Sequence, residues 1–208
     1  MTRSVHLLGA GGHAKVVIAT LRAAGMDVVA AWDDDLSREG STVLGVPVEG
    51  PILACPPDAE VAVGIGSNRV RARLAADPGR RYVSVVHPAA WVHESVRLGP
   101  GTVVFAGAVI QPDATLGRLV IVNTCASIDH ECRIGDFAHV APGVRLGGNV
   151  EVGTGALLGI GSVARGGAAV GAWATVGAGS VVIQPVPEGV CVVGCPARPI
   201  RKKGPSGR

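Results

Sequence analysis

Hydrophobic positions recur every six residues between residues 92 and 187, without one insertion or deletion. Counted in steps of six, 15 of the 16 positions carry a branched aliphatic side chain, and the exception is Ala164. The positions are Val92, Leu98, Val104, Ile110, Leu116, Val122, Ile128, Ile134, Val140, Leu146, Val152, Leu158, Ala164, Val170, Val176 and Val182. Small residues fill most of the positions four places later, so large and small side chains alternate along this segment.

A period of six matches neither an amphipathic helix nor a simple alternating strand. It is typical of a solenoid whose triangular coil takes three hexads, or 18 residues. The aliphatic side chains then fill the interior of a prism, and the small residues allow the chain to turn at its corners. Sixteen hexads predict a little over five coils, roughly 25 Å of parallel β-prism at about 4.8 Å per strand. A disordered Gly/Ala-rich segment is the alternative, but disorder gives no reason to keep aliphatic residues in phase.

Before the prism, short apolar runs alternate with helical patterns. We predict strands at residues 4–8, 28–31, 61–65 and 83–86, and helices at residues 14–24 and 68–76. Strands that alternate with helices indicate a small parallel α/β unit. The chain is therefore divided into a Rossmann-like domain at residues 1–87, a β-prism domain at residues 88–187 and a basic C-terminal tail at residues 188–208.

Composition narrows the possible partners. Aromatic residues make up 3% of the chain, too few for a platform that stacks the bases of a nucleic acid, and the net charge is a modest +3. No apolar run is long enough to span a bilayer, and the N-terminus does not resemble a signal peptide, so we expect a cytoplasmic protein without a membrane partner. The five cysteines have no CxxC spacing and indicate neither a disulfide framework nor a zinc site. Cys132 falls on a small inward position and is interpreted as packing rather than as a nucleophile.

A glycine-rich run, Gly9-Ala10-Gly11-Gly12-His13, follows the first predicted strand, and Asp33 and Asp34 follow the second. This matches a loose G-x-G-x-x-G/A fingerprint, in which glycines let a diphosphate approach a helix N-terminus and an acidic side chain binds the ribose or base. A domain of this length supplies about one mononucleotide-binding half. It therefore favours one nucleotide diphosphate, such as a nucleotide-linked sugar, over NAD. A tight turn without a ligand is the alternative.

A second candidate loop contains Gly66, Ser67 and Asn68, after the third predicted strand. Ligands gather at the carboxyl ends of parallel strands, so these residues are candidate substrate contacts. Ser67 can equally serve as the N-cap of the following helix. For Asn68, the alternative is that it does not contact a ligand.

The outward corner positions of the prism supply the candidate catalytic residues. His130 and Glu131 come two and three places after Ile128, where side chains point away from the interior. Histidine is the usual general base for an attacking amine or hydroxyl, and an adjacent carboxylate can orient its ring. A solvated histidine beside a solvated carboxylate is the alternative.

His139 follows His130 by nine residues, half a coil, so the two lie on different faces of one prism. Prisms packed side by side bring His130 of one subunit near the face of another, which indicates a ring of subunits, most simply a trimer. The histidine spacings do not suit a metal site, so a zinc hydratase is disfavoured.

Taken together, the sequence motifs resemble the sugar acyltransferases of bacterial glycan synthesis. The motifs are the hexads, the glycine-rich run, the segment Asn123-Thr-Cys-Ala-Ser-Ile-Asp-His130-Glu131-Cys-Arg-Ile-Gly135 and the ending Val193-Gly-Cys-Pro-Ala-Arg198. The likeness covers nearly the whole chain and is greatest to nucleotide-sugar 4-amino N-acetyltransferases and the related sialic acid O-acetyltransferases. It implies a left-handed parallel β-helix that forms a homotrimer, with acetyl-CoA between neighbouring prisms and the nucleotide sugar on the N-terminal domain.

The resemblance also implies roles for individual residues. His130 is the expected general base and Glu131 the residue that tunes it. Expected contacts of the sugar nucleotide are Gly11, Gly12, His13, Asp33, Asp34 and Gly66, with Ser67 and Asn68 in the same loop. The acetyl-CoA groove is expected to be lined by His139, Ile160 and Ala178, with the basic tail near the CoA phosphates.

The predicted reaction is direct acetyl transfer to the amino group of a nucleotide-linked sugar, of the 4-amino-4,6-dideoxy type, without a metal or a covalent acyl-enzyme. Two alternatives remain open at this point. One is O-acetylation of a sugar hydroxyl, as on a sialic acid, and the other is a non-catalytic module that binds nucleotide sugars.

Overall fold

The computed structural model describes residues 3–77 and 79–200. The predicted contact between CoA phosphates and the basic residues from Arg201 onward lies outside the described residues.

An α/β unit comes first. Its strands are β1 (Arg3–Leu8), β2 (Met26–Trp32), β3 (Thr42–Val43), β4 (Val46–Gly50), β5 (Glu60–Val63) and β6 (Arg81–Tyr82), and its helices are α1 (Gly12–Ala23) and α2 (Asn68–Leu74), with 3-10 turns at Leu36–Arg38 and Ile52–Ala54. The six strands form one sheet in the order β3-β4-β2-β1-β5-β6. All pairs are parallel except β3 with β4, which are antiparallel.

Helix α1 packs on this sheet through one apolar face. Ala14, Val17, Ile18 and Leu21 are fully buried, at the i, i+3, i+4, i+7 spacing that places side chains on one side of a helix. Gly25 follows in a left-handed conformation (φ 76°), and the chain re-enters the sheet at β2.

The structure departs from the predicted elements at two places. The hairpin of β3 and β4 was not predicted, because its two-residue turn places Leu44 rather than Asn or Asp at a positive φ of 47° before Gly45. Of the strand predicted at residues 83–86, only residues 85–86 form a strand, and this strand belongs to the prism; the last strand of the α/β sheet, β6, ends before it at Tyr82.

The prism is a parallel β-solenoid of three sheets. Its strands are β7 (Val85–Val86), β8 (Trp91–Val92), β9 (Arg97–Leu98), β10 (Val103–Val104), β11 (Val109–Ile110), β12 (Thr115–Leu116), β13 (Ile121–Val122), β14 (Ser127–Ile128), β15 (Arg133–Ile134), β16 (His139–Val140), β17 (Arg145–Leu146), β18 (Glu151–Val152), β19 (Leu157–Leu158), β20 (Val163–Ala164), β21 (Ala169–Val170), β22 (Thr175–Val176), β23 (Val181–Val182), β24 (Cys191–Val193) and β25 (Arg198–Pro199). The first face contains β7, β10, β13, β16, β19, β22, β24 and β25, the second β8, β11, β14, β17, β20 and β23, and the third β9, β12, β15, β18 and β21.

From β7 to β23, neighbouring strands on each face pair 18 residues apart, as the three-hexad coil predicts; Val103, for example, pairs with Ile121. The last coil is shorter, and Thr175 on β22 pairs with Cys191 on β24, 16 residues later. The second residue of each central strand points inward and is buried. Ala164 occupies its hexad position without disturbing the coil: it is 1% exposed and pairs in register with Leu146 and Val182. Residues 188–200 continue the first face through β24 and β25.

The α/β unit covers the N-terminal half of the first face. Val103, Phe105 and Ile121 point away from the prism interior and are nonetheless buried, because they pack in one core with Val5 and Val17. This packing brings the loops at the carboxyl ends of β1 and β5 onto the prism. Within the described residues, no helix has the length and apolar character needed to cross a bilayer.

Candidate active site

The glycine-rich loop between β1 and α1 is tied to the end of β2 through Asp33. The Ala10 main-chain N–H donates to Asp33 Oδ2 at 2.6 Å, and Asp33 Oδ1 accepts from the N–H of Asp35 at 2.9 Å. The neighbouring Asp34 accepts from the N–H of Ile52 at 3.0 Å. Both predicted acidic residues therefore shape the loops at this edge of the sheet.

Gly11 and Gly12 face open space where α1 begins. A Cβ added to either glycine would meet no atom within 4 Å. Gly11 is the N-cap and supplies no side-chain hydrogen bond, so the N–H groups of the first turn of α1 keep their capacity to donate to a ligand.

The loop between β5 and α2 is fastened to the prism by Asn68. Its Nδ2 donates to the carbonyls of Gly155 and Ala156, each at 3.0 Å. Ser67 takes the N-cap position of α2 but makes no side-chain capping hydrogen bond. Asn68 thus has a structural contact that the sequence did not indicate.

Arg71, on α2, was missed by the sequence analysis. It is 1% exposed, and its guanidinium donates to the carbonyls of Leu119 (3.0 Å), Gly66 (2.8 Å) and Phe137 (2.6 Å). Burial lowers its pKa to about 10, so the side chain stays charged near neutral pH. No motif marks it, because a buried arginine and a solvated one look alike in a sequence.

Two predicted residues from opposite halves of the chain, His13 and His139, meet beside this loop. Their ring centroids are 6.1 Å apart, and His13 also packs edge-on against Phe105 at 5.5 Å. Burial, with a smaller contribution from Arg71, lowers the pKa of each imidazole to about 4, so both rings are neutral at pH 7. The Nε2 atom of His13 is buried and has no hydrogen-bond partner among the described residues.

Asn123 sets the tautomer of His139. Its Oδ1 accepts from the N–H of Thr124 at 2.8 Å, which leaves Nδ2 to donate to His139 Nε2 at 3.1 Å. His139 Nε2 is therefore an acceptor, and the ring proton is on Nδ1. The sequence motif contained Asn123, but spacing alone gave it no role.

A cleft of about 740 Å³ opens where the α/β unit ends on the first face. Six predicted site residues line it: Gly66, Ser67, Asn68, His139, Ile160 and Ala178. Another groove, of about 760 Å³, runs along the third face and contains none of the predicted residues. The cleft of about 740 Å³ is the candidate site, because it joins residues from both parts of the chain.

Arg69 and Trp173 extend this cleft and were not predicted. The Arg69 Cζ atom lies 4.8 Å from the centroid of the Trp173 ring, in a cation–π contact. Ile160, which also lines the cleft, is 62% exposed. A mostly apolar cleft with a few polar groups and one cation suits a long, partly apolar ligand with charged ends.

His130 and Glu131 lie at a corner between the second and third faces, away from the cleft. Their side chains are 54% and 57% exposed, as the outward corner position predicts, and His130 Nδ1 is 3.0 Å from Glu131 Oε2. Neither residue lines the cleft on the first face. Cys132, next in the chain, points inward and is fully buried.

Among residues 3–77 and 79–200, no three His, Cys, Asp or Glu side chains are grouped to hold a metal ion. The available chemistry is that of a histidine–carboxylate pair, neutral imidazoles and main-chain N–H groups.

A parallel β-prism that carries an exposed histidine–carboxylate pair, with a cleft under an α/β unit, agrees with the acyltransferase class that the sequence motifs resemble. Comparisons with known proteins identify its relatives. Residues 4–77 match the PglD N-terminal domain family. The crystal structure of PerB from Caulobacter crescentus, in complex with CoA and GDP-perosamine, has 43% sequence identity and a TM-score of 0.90, with 95% of this chain and 97% of that chain covered.

The acetyltransferase domain of PglB from Neisseria gonorrhoeae FA1090 has 37% identity and a TM-score of 0.88, over 96% of this chain and all of that one. A GDP-perosamine N-acetyltransferase of Escherichia coli O157:H7 is 30% identical over 91 residues; the match spans 42% of this chain and 41% of that relative. The chain belongs to the bacterial nucleotide-sugar acetyltransferase family, as the sequence motifs predicted.

Proposed function

We propose that this protein transfers the acetyl group of acetyl-CoA to the amino group of a nucleotide-linked 4-amino sugar. The observation that carries the proposal is the cleft in which the loop of residues 66–68 meets His139, Ile160 and Ala178. The CoA and GDP-perosamine bound to PerB, at 43% identity over nearly the full chain, support both substrate classes and favour N-acetylation over O-acetylation.

The N-terminal unit is the proposed binding site of the nucleotide sugar, on a Rossmann-like fold. Gly11 and Gly12 leave the α1 N-terminus open to a diphosphate, while Asp33 and Asp34 shape the neighbouring loops. The Nε2 atom of His13, buried and without a hydrogen-bond partner among the described residues, is one further polar group in this unit.

We propose that the prism is a left-handed β-helix and that it carries acetyl-CoA along its first face. Ile160 offers apolar surface to the pantetheine arm, and the main chain at Ala178 lies at the wall of the same cleft. Neutral His139 lies between the cleft and the sugar-binding unit, held by Asn123.

In the proposed mechanism, His130 removes a proton from the sugar amine as the nitrogen attacks the thioester carbonyl. A C–N bond forms, the C–S bond breaks and CoA leaves as the thiolate, while a main-chain N–H stabilises the oxyanion. Glu131, 3.0 Å from His130 Nδ1, orients the ring so that Nε2 faces the amine.

The separation of His130 from the cleft supports a homotrimer with active sites between subunits. One chain supplies the cleft on its first face and the next supplies His130 from its corner. Trp91 and Val163 on the second face are 49% and 38% exposed, apolar surface that side-by-side packing would cover.

The activity is tested by CoA release from acetyl-CoA with UDP-, GDP- and dTDP-linked 4-amino sugars, GDP-perosamine first. We expect turnover with one nucleotide series and an amide product. If mild hydroxylamine removes the acetyl group from the product, the product is an ester, and N-acetylation is contradicted. Turnover by His130→Ala at the wild-type rate would refute the general-base assignment.

The shared site is tested by mixing subunits. His130→Ala and His139→Ala chains, each first assayed alone and expected to be impaired, are co-expressed with different affinity tags and purified as mixed assemblies. If the site lies between subunits, some interfaces pair an intact His130 with an intact His139, and part of the activity returns. No recovery in a verified mixed trimer, or a monomer by light scattering, would contradict the arrangement.

A further inference from the structure

The corner that carries Glu131 belongs to a stack of equivalent corners one coil apart. Asp113, Glu131 and Asn149 follow one another at 18-residue intervals, and all three are left-handed, with φ of 61°, 59° and 59°. The Glu131 N–H donates to the carbonyl of Pro112 at 3.0 Å, and the Asn149 N–H donates to the carbonyl of His130 at 2.9 Å. The main chain therefore places the side chain of Asn149 directly beside Glu131.

The Asn149 amide contacts the same carboxylate oxygen that faces His130. Its Nδ2 donates to Glu131 Oε2 at 3.2 Å, and that oxygen is 3.0 Å from His130 Nδ1. The carboxylate is thus held from both sides. The amide is neutral, so it fixes the position of Glu131 without removing its charge.

Gly148 completes the support. A Cβ at Gly148 would collide with the Cε1 and Nε2 atoms of His130, so the imidazole lies against the bare main chain of the next coil. Gly148 and Asn149 therefore support His130 and Glu131 from the next coil. Gly148 contacts the imidazole ring, and Asn149 donates a hydrogen bond to the carboxylate.

We propose that Asn149 is a positioning residue for the acetyl transfer, holding Glu131 and, through it, His130; this rests on the general-base role proposed above. The side chains of His130 and Glu131 are more than half exposed, so without a fixed partner they would sample several rotamers at the corner. Asn149 restricts the carboxylate to the rotamer that faces His130 Nδ1, and keeps the opposite ring nitrogen directed toward substrate.

Asn149→Gly is the most direct test, because glycine adopts a φ of 59° without strain while the side chain that donates to Glu131 is removed. We expect kcat to fall roughly fivefold to tenfold, with the KM of each substrate within about twofold of wild type and an unchanged melting temperature. The matched control is Asp113→Gly, at the same corner one coil earlier with the same backbone conformation, which should retain wild-type kcat. Asn149→Asp, which keeps the size of the side chain but replaces the donor with a second carboxylate, should lower kcat further.

A double-mutant cycle with Glu131→Ala separates positioning from a general effect on the prism. If Asn149 acts through Glu131, Asn149→Gly causes no further loss of kcat in the Glu131→Ala background. If the two single-variant losses of kcat multiply in the double variant, the positioning role is overturned. The same holds if Glu131→Ala is impaired but Asn149→Gly keeps the wild-type kcat. Neither outcome affects the role proposed for Glu131. Wild-type kcat in Glu131→Ala would overturn both the pair proposed above and this inference.

Discussion

Arg71 Nη2 donates to the main-chain carbonyl of Phe137 at 2.6 Å, and this contact joins the α/β unit to the prism at the edge of the cleft. The same guanidinium donates to the carbonyl of Gly66 at 2.8 Å, in the loop that lines the cleft. One buried side chain thus fixes the distance between the loop of residues 66–68 and the first face of the prism.

Replacing Arg71 with Met should destabilise the protein and weaken substrate binding together. Methionine fills much of the volume but leaves the buried carbonyls of Leu119, Gly66 and Phe137 without their donors, at a cost of about 3 kcal/mol. We expect a lower urea midpoint and a higher KM for both substrates. The control is Arg73→Met, an exposed arginine on the same helix. An unchanged midpoint in Arg71→Met would show that the contact does not contribute to stability.

The stability of the protein should fall as the pH drops from about 6.5 to 4. Burial lowers the folded-state pKa of His13 and His139 to about 4, while an unfolded histidine titrates near 6.5. Between these values the unfolded chain binds more protons, so the folded state is fully favoured above pH 6.5 and loses roughly 1.4 kcal/mol for each pH unit and each ring within the window.

Urea unfolding at pH 7.5 and pH 4.5, at one protein concentration, measures this loss; the fixed concentration matters because assembly also stabilises subunits. His13→Phe removes one of the two rings and should reduce the difference between the two pH values. An equal difference in wild type and variant would contradict the assignment to His13.

Gly148→Ala should impair turnover while leaving the fold intact. The added methyl group collides with the His130 ring, which is exposed and free to swing away, rather than with the main chain. We expect a kcat reduced roughly tenfold, on the order of 1.4 kcal/mol in the barrier, and a melting temperature close to wild type. The variant also tests whether the position of the His130 ring matters for turnover, without changing Asn149. A kcat equal to wild type would mean that the ring position seen here is not the one that reacts.

Cys132 should be dispensable for the reaction. It is fully buried, its Sγ contacts the carbonyl of Gly147 at 3.2 Å, and burial raises the pKa of its thiol. We expect Cys132→Ala to retain most of the wild-type kcat and iodoacetamide to label the exposed Cys125 well before Cys132. Loss of turnover in a folded Cys132→Ala protein would reopen the possibility of an acyl-cysteine intermediate.

The hexad pattern was sufficient to predict the prism, because each coil repeats the same burial requirement and the aliphatic positions carry the period directly. It also predicted which side of the chain faces solvent, and so separated Cys132 from His130 and Glu131. In the α/β unit the hairpin at Leu44 and Gly45 was missed, because its turn uses a residue that rarely adopts a positive φ.

Contacts between distant segments had no counterpart in the sequence pattern. Asn68 reaches across 87 residues to Gly155, and Arg71 across 66 residues to Phe137. Each depends on how the α/β unit packs on the prism, which no local spacing encodes. Asn149 differs in this respect, since its distance of 18 residues from Glu131 follows from the coil length once the repeat is known.

The stacked corners constrain how such a chain can diverge. Glu131 and Asn149 meet only because one complete coil separates them, so gaining or losing a single residue between them would rotate every later side chain onto the wrong face. Whole-coil duplications, in contrast, keep the phase. A single corner side chain can therefore be replaced without disturbing the coil. The number of residues between corners cannot change without disturbing it.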